Sequence, residues 1–281
     1  MQYQLIAFDL DGTVLRDDKT ISQRTLSALR EAASRGIQIV PATGRFEKMV
    51  PKEILGLPGV RYLITCNGAR VVDLSNQSVV YSRTMTVEAS LKIVRFLTMR
   101  GLFIEAYCGG VSYADSAELP SLRKTALPEW FFRYIDASQT FVEDLLSFLA
   151  HNGKPLEKIN IPYVPAEERE RLREEILAMG PYSVTSSGKI NLEINDVEAS
   201  KGDGLLNLCK TLGIGLESVI AFGDGDNDRS MLQAAGLGIA MGNAEPEIQK
   251  NADVVTGTNE EDGVACAIEK YVFSQNRQKM F

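Results

Sequence analysis

Phe8-Asp9-Leu10-Asp11-Gly12-Thr13 follows the apolar run Leu5-Ile6-Ala7, and its reading decides that of the whole chain. Residues 5–8 are short, apolar and soon ended by a glycine, the pattern of a strand buried on both faces. In extended backbone, residues two apart point the same way. Asp9 and Asp11 therefore converge just past the carboxyl end of a strand, where open α/β sheets hold their ligands. Two carboxylates this close raise each other's pKa unless a cation neutralises them. A hard divalent ion such as Mg2+, bound through oxygen, keeps both ionised. A strand followed by an ordinary Asp-Gly turn fits the same six residues, so the rest of the chain has to decide.

Working outward, residues 21–35 place Leu26, Leu29 and Ala33 at helical spacing, with Ser22 as N-cap and Gly36 as the stop. Residues 37–40 and 62–65 have strand character, and the alternation predicts βαβ units and a parallel sheet. Val71-Val72 and Val79-Val80-Tyr81 flank a polar turn, which predicts a β-hairpin. From residue 85 to 187 the texture changes. Helices are expected at 87–99, 142–150 and 166–179, and strands at 103–107, 111–114, 182–185 and 190–194, which make a smaller α+β unit. The helix at 166–179 is so densely charged that most of it should be a solvated face. Beyond Lys201 a helix at 205–212, stopped by Gly213, and strands at 219–222, 237–241 and 254–255 restore the parallel rhythm. The expected fold class is α/β. Residues 1–84 plus 188–281 form a parallel-sheet core, and residues 85–187 are an inserted α+β module.

Composition removes several classes of function. The 281 residues carry a net charge of −7, which argues against a chain-wide nucleic-acid footprint. Cys66, Cys108, Cys209 and Cys266 are widely spaced without a C-x-x-C pair, as expected for free thiols in a reducing cytoplasm rather than a zinc site. No signal-peptide pattern opens the chain and no stretch reaches the length of a membrane span. With His151 the only histidine, a general acid or base should be a carboxylate or a lysine.

Four segments repeat one pattern, a short apolar strand followed by small and polar residues. They are Asp9-Leu10-Asp11-Gly12-Thr13; Pro41-Ala42-Thr43-Gly44-Arg45; Glu193-Ile194-Asn195 leading to Ser200-Lys201-Gly202; and Gly223-Asp224-Gly225-Asp226-Asn227-Asp228. If their strands are neighbours in one parallel sheet, the clusters meet along one edge. Together they offer carboxylates, a hydroxyl and an ammonium, an inventory suited to phosphoryl transfer. Taken singly each has a plainer reading: Thr43-Gly44 as a turn, Lys201 as a surface lysine. A lysine at a helix start does oppose the helix dipole, so an anionic partner nearby makes sense of it. Asp224 to Asp228 begins like an EF-hand loop, but Arg229 stands where that loop needs glycine and Ala235 where it needs glutamate.

In this order the four segments resemble the motifs of the haloacid dehalogenase superfamily, and the large insert between the second and third resembles its Cof-type phosphatases. Cys66-Asn67-Gly68-Ala69, Leu192-Glu193-Ile194 and Met241-Gly242-Asn243-Ala244 are further matches. The resemblance implies a Rossmann-like core with an inserted α/β cap that controls substrate selectivity. It implies a cytoplasmic, Mg2+-dependent phosphatase of small phosphorylated metabolites such as sugar phosphates. Asp9 would be the nucleophile that becomes an aspartyl phosphate, and Asp11 the acid and base. Leu10, Thr43, Gly44, Lys201 and Asn227 would hold phosphate. Asp9, Asp11 through its backbone carbonyl, and Asp224 would hold the metal, with Asp228 supporting it from behind. A phosphotransferase or phosphomutase on the same scaffold, and a non-enzymatic regulator that binds phosphometabolites, are the competing readings. Within the insert, Tyr107, Tyr113, Trp130, Phe131, Phe132 and Tyr134 either face a ligand or fill a core.

Overall fold

Leu5, Ile6, Ala7 and Phe8 have no exposed surface, because the strand they form, β1 (Leu5–Phe8), lies inside a sheet covered on both faces. The computed structural model describes residues 3–125, 127–188 and 190–274, without the side chain of Trp130. The remaining strands follow in chain order. They are β2 (Gln38–Pro41), β3 (Tyr62–Thr65), β4 (Arg70–Asp73), β5 (Ser78–Ser82), β6 (Glu105–Cys108), β7 (Val111–Asp115) and β8 (Thr140–Val142), then β9 (Lys158–Ile161), β10 (Tyr182–Thr185), β11 (Leu192–Asp196), β12 (Val219–Gly223), β13 (Leu237–Ala240) and β14 (Val254–Val255). The chain divides into two units. The first comprises the residues up to Gly44, Val50–Tyr81 and those from Ser200 on; the second is Arg45–Met49 with Ser82–Ala199.

The first unit holds a parallel sheet in the order β14-β13-β12-β1-β2. Alternate residues of its strands feed two cores. Ile6, Phe8, Ile39, Ile220 and Phe222 pack with Leu26 and Leu29 of the Gln23–Ser34 helix. Leu5, Ala7, Val40, Val219 and Ala221 pack with Leu205 and Leu208 of the Lys201–Leu212 helix. Ser22 caps the first of these helices by accepting from the Thr25 amide, as its position before the apolar stripe requires. β12 lies beside β1 with Phe222 opposite Phe8, so the segments following these two strands emerge together.

The second unit has a sheet in the order β10-β11-β9-β6-β7-β8, antiparallel except between β7 and β8. Ala106, Cys108, Ile159, Ile161, Leu192 and Ile194 point to one face and pack with the helices Val87–Thr98, Leu145–Asn152 and Ala166–Met179. The last of these helices buries only Leu172 and Ile176, as its charge density requires. The opposite face is polar. Glu193, Asn160 and Glu105 form one cross-strand row, and Lys158 and Tyr107 are paired beside it. All five are buried. Phe131 and Phe132 fill a small separate core, Tyr134 packs against it and Tyr113 against the main one; the Trp130 side chain lies outside the described residues.

One expectation needs correction. The strand ending at Asn195 is not part of the parallel sheet. β11 pairs antiparallel with β9 and β10, and residues 188–199 belong to the second unit rather than the core. The physical reason is that β11 alternates apolar Leu192 and Ile194 with polar Glu193 and Asn195, which suits a sheet with one apolar and one polar face rather than the wholly apolar interior of the parallel sheet. The β3 segment does run parallel beside β2, through the bridges Ile39–Val60 and Ala42–Ile64, and β3 also pairs antiparallel with the hairpin strand β4 in a three-stranded sheet. β9 carries little signal in the sequence, since Lys158-Ile159-Asn160-Ile161 alternates over only four residues and both of its polar side chains are buried.

The Lys201–Leu212 helix has two glycines in its first turn, a costly choice for propensity that close packing explains. A Cβ on Gly202 would lie 2.5 Å from the Ser230 carbonyl oxygen, and one on Gly204 would lie 3.0 Å from Gly68 Cα. Propensity alone makes Gly202→Ala stabilising by ~1 kcal/mol. The clash with rigid backbone outweighs this, and a net loss of about 1–3 kcal/mol is expected in chemical denaturation. An increase in the unfolding midpoint would show that the helix has room to spare.

Candidate active site

The β1–β12 pairing sets the centre of the site. The Asp9 amide donates to the Phe222 carbonyl at 3.0 Å, and the Ala42 amide to the Phe8 carbonyl at 2.8 Å. The chain segments after β1, β2 and β12 are thereby brought side by side. Lys201 arrives from a different direction, as the first residue of its helix. Ser200 caps that helix by accepting from the Asp203 amide at 3.1 Å. The Lys201 ammonium has no exposed surface and donates to Asp9 Oδ1 and Asp228 Oδ1, both at 2.6 Å.

Asp228 owes its position to a tight turn. Its Oδ2 accepts from the backbone amides of Asp224 (3.0 Å) and Gly225 (2.9 Å). Asp226, in the same turn, is exposed and pairs with Arg229. Asp224 sits over the first segment: Thr13 Oγ1 donates to its Oδ1 at 2.8 Å, and Asn243 Nδ2 reaches its Oδ2 at 3.4 Å while also donating to the Gly12 carbonyl at 2.8 Å. Carboxylate oxygens of Asp9, Asp224 and Asp228 lie within 4.8 Å of one another.

Burial dominates the electrostatics. It pushes the Asp9 carboxyl well above the usual carboxylate range against the pull of Lys201, and Asp228, Asp224 and Asp11 add to the rise. It raises Asp224 to about 7, with Asp228 adding to the effect. Burial also acts against the charge of Lys201, but Asp228 and Asp9 overcome it and hold the ammonium above its ordinary range. Two buried carboxylates and the half-buried Asp224 around one ammonium leave an excess of negative charge in a poorly solvated place. An all-oxygen donor set of this kind fits Mg2+. Since the oxygens of Asp228 are engaged by Lys201 and two amides, Asp9 and Asp224 are the side chains suited to hold the ion.

The other expected residues fall as follows. Asp11 is outside the carboxylate cluster, and its Oδ1 accepts from the partly exposed Lys19 at 2.9 Å. The Leu10 side chain is in the apolar core, so any contribution of this residue is through its backbone. Thr43 is buried, and its amide donates to the Ile64 carbonyl at 2.9 Å; Gly44 follows it. Asn227 is buried and donates to Asn67 Oδ1 at 3.0 Å. Thr13, Lys19, Asn67 and Asn243 carried no role in the sequence reading. Thr13 closes the quoted motif, and Asn67 and Asn243 lie in the matched stretches, but their partners are 160 to 211 residues away or, for Asn243 to Gly12, 231.

A family model for haloacid dehalogenase-like hydrolases matches residues 6–268. Phosphatase YwpJ of Bacillus subtilis is 33% identical, over 93% of this chain and 97% of the relative. The 5-amino-6-(5-phospho-D-ribitylamino)uracil phosphatase YcsE of the same species is 31% identical, over 96% of each. A solved haloacid dehalogenase-like hydrolase from B. subtilis superposes with a TM-score of 0.82 at 30% identity, covering 95% of this chain and 99% of that one. The chain belongs to the haloacid dehalogenase-like hydrolases. Within that family it is a phosphatase. Among the described residues no helix is long and apolar enough to cross a membrane.

Asp224 binds its proton more tightly folded than unfolded, so in EDTA the native state holds more protons than the unfolded state between about pH 4 and 7. Stability of the metal-free protein should therefore fall as pH rises through that window. Mg2+ should stabilise most above pH 7, and Asp224→Asn should flatten the slope. Melting midpoints measured from pH 4 to 8 with and without Mg2+ decide this; parallel curves for the wild type and the variant would refute it.

Proposed function

We propose that this phosphatase hydrolyses phosphate monoesters of small, hydroxyl-rich metabolites, sugar phosphates or similar, through an aspartyl phosphate on Asp9, with Mg2+ as cofactor. The observation that carries the reading is the buried Lys201 ammonium, 2.6 Å from both Asp9 and Asp228 and beside Asp224. It directs Asp9 and brings positive charge to the place where phosphoryl oxygens gather charge. Mg2+, held by Asp9 and Asp224, would supply the remaining neutralisation and keep Asp9 ionised and nucleophilic.

In the first step an Asp9 oxygen forms a bond to phosphorus as the ester bond breaks, and Asp11 gives its proton to the departing alkoxide. In the second Asp11 takes a proton from water, the water oxygen bonds to phosphorus, and the Asp9–phosphorus bond breaks to release inorganic phosphate. Thr43, the Gly44 and Leu10 backbone and Asn227 hold phosphoryl oxygens. Thr43 and Asn227 are buried near this centre, which supports their use on a dehydrated anion.

Selectivity for the leaving group belongs to the second unit, acting as a cap. Its polar sheet face supports this. Lys158 donates to Glu193 at 2.9 Å, and Tyr107 (3.0 Å), Asn160 and Gln139 (both 2.7 Å) donate to Glu105. Phe46, which follows Thr43 by three residues in the chain and belongs to this unit, meets Tyr107 edge-on at 5.4 Å. A buried ion pair contributes little to stability compared with an apolar replacement. Closely spaced carboxylates, amides and an ammonium are instead suited to hydroxyl groups. The relative YcsE takes its name from a phosphorylated ribityl compound, which accords with a hydroxyl-rich alcohol.

Phosphate release from a panel of phosphorylated metabolites should require Mg2+, stop with EDTA and be abolished by Asp9→Asn. Asp11→Asn should lower turnover by roughly 10²- to 10⁴-fold. Stable labelling of Asp9 without turnover would favour the regulator instead, and transfer of phosphate to a second alcohol rather than to water would favour the phosphotransferase. Glu193→Gln should raise KM for sugar phosphates several-fold while leaving kcat/KM for phenyl phosphate within about twofold. Equal losses on both substrates would remove the polar face from leaving-group recognition.

A further inference from the structure

Cys66, Asn67 and Gly68 have φ of 53°, 58° and 89°, a run of three left-handed residues, two of them not glycine. Such backbone persists where its surroundings over-determine it. Here the turn meets three of the four site segments. The Asn67 amide donates to the Thr43 carbonyl at 3.2 Å. The Asn67 side chain accepts from Asn227 Nδ2 at 3.0 Å, with both residues buried. Gly68 lies so close to the start of the Lys201 helix that a Cβ on it would stand 1.9 Å from the Ser200 carbonyl oxygen. An ordinary right-handed turn does not send an amide, a side chain and a bare Cα toward these three neighbours. Glycine would adopt the φ of residue 67 with less strain. An asparagine there, with its amide group engaged and shielded from water, points to a use for the side chain itself.

We infer that Asn67 is a positioning residue for phosphate binding: by accepting from Asn227 it fixes the orientation of that amide, so that the other N–H of Asn227 is presented to a phosphoryl oxygen. Its effect is on affinity for the phosphoryl group rather than on the nucleophile or the acid. The inference rests on the reading of Asn227 as a phosphate contact.

Asn67→Gly keeps the left-handed backbone and removes only the side chain, whereas Asn67→Ala removes the side chain and adds backbone strain. Both should raise KM for a phosphate monoester and the inhibition constant of inorganic phosphate by roughly 3- to 10-fold, the size of one buried hydrogen bond. kcat should change less than twofold. Both variants leave the Asn227 amide short of a buried partner and should lose some thermal stability, the alanine variant more because of its backbone, and either folded variant suffices for the kinetic test. In the Asn67→Gly/Asn227→Ala double variant the phosphate inhibition constant should be no weaker than in Asn227→Ala alone, because the two residues act through one amide. Unchanged phosphate inhibition in Asn67→Gly, or losses that add fully in the double variant, would overturn the inference while leaving Asn227 in its role. Unchanged phosphate inhibition in Asn227→Ala would overturn both the inference and the reading beneath it.

Discussion

A lysine ammonium with no exposed surface cannot be left without anions, and the arrangement around Lys201 follows from that requirement. Removing the charge from water is costly, and the carboxylates of Asp9 and Asp228, each at 2.6 Å, make it tolerable. The two aspartates reach the lysine because β1 and β12 are adjacent and parallel, so that their following segments leave the sheet together. The lysine reaches them because Gly202 and Gly204 let its helix press against Ser230 and Gly68. Strand order, helix packing and two unfavourable helix residues thus share one electrostatic cause. The same charges, with Asp224 added, leave negative charge in excess, and this connects the fold to a divalent cation.

The network is asymmetric in a way that matters for chemistry. Asp228 is held by the lysine and two backbone amides, which makes it a fixed counter-charge rather than a reactive group. Asp9 is held by the lysine, while burial above all, and then its acidic neighbours, raise its carboxyl, so keeping it ionised depends on added positive charge. Asp11, at the surface beside Lys19, has a quite different environment from Asp9 although it lies only two residues away. Different surroundings for two nearby carboxylates are what the proposed division between nucleophile and proton carrier requires.

The second unit shows a different balance. One face of its sheet packs an ordinary apolar core, and the other buries Glu105, Lys158, Asn160 and Glu193. Polar groups withdrawn from water demand complete hydrogen bonding, and the pairs Lys158–Glu193 and Asn160–Glu105 provide it. An arrangement of this kind is directional and intolerant of slippage, properties suited to recognition. The left-handed turn at Cys66–Gly68 applies a similar logic in the first unit, using strained backbone to hold three segments in register.

What was legible in the chain is local. Short continuous apolar runs marked β1 and β12, Ser22 and Gly36 bounded the first helix, and the hairpin was visible in its polar turn. The four clusters pointed to the family because carboxylates, a hydroxyl and a lysine recur in a recognisable order. The sheet that receives a strand was not legible: β11 follows the strand-then-cluster pattern of the parallel core strands, yet it pairs antiparallel with β9 and β10. Nor were the partnerships of Lys201 with Asp9, Asn67 with Asn227, Thr13 with Asp224, and Lys19 with Asp11 visible from spacing. The sequence by itself determined strands such as β1 and β12 and the first helix, and offered candidates for the chemistry, since propensity, capping and periodicity act over a few residues. Only the tertiary structure decided which charges meet and which are buried, because contacts between residues up to 231 positions apart depend on strand order and close packing that no local pattern encodes.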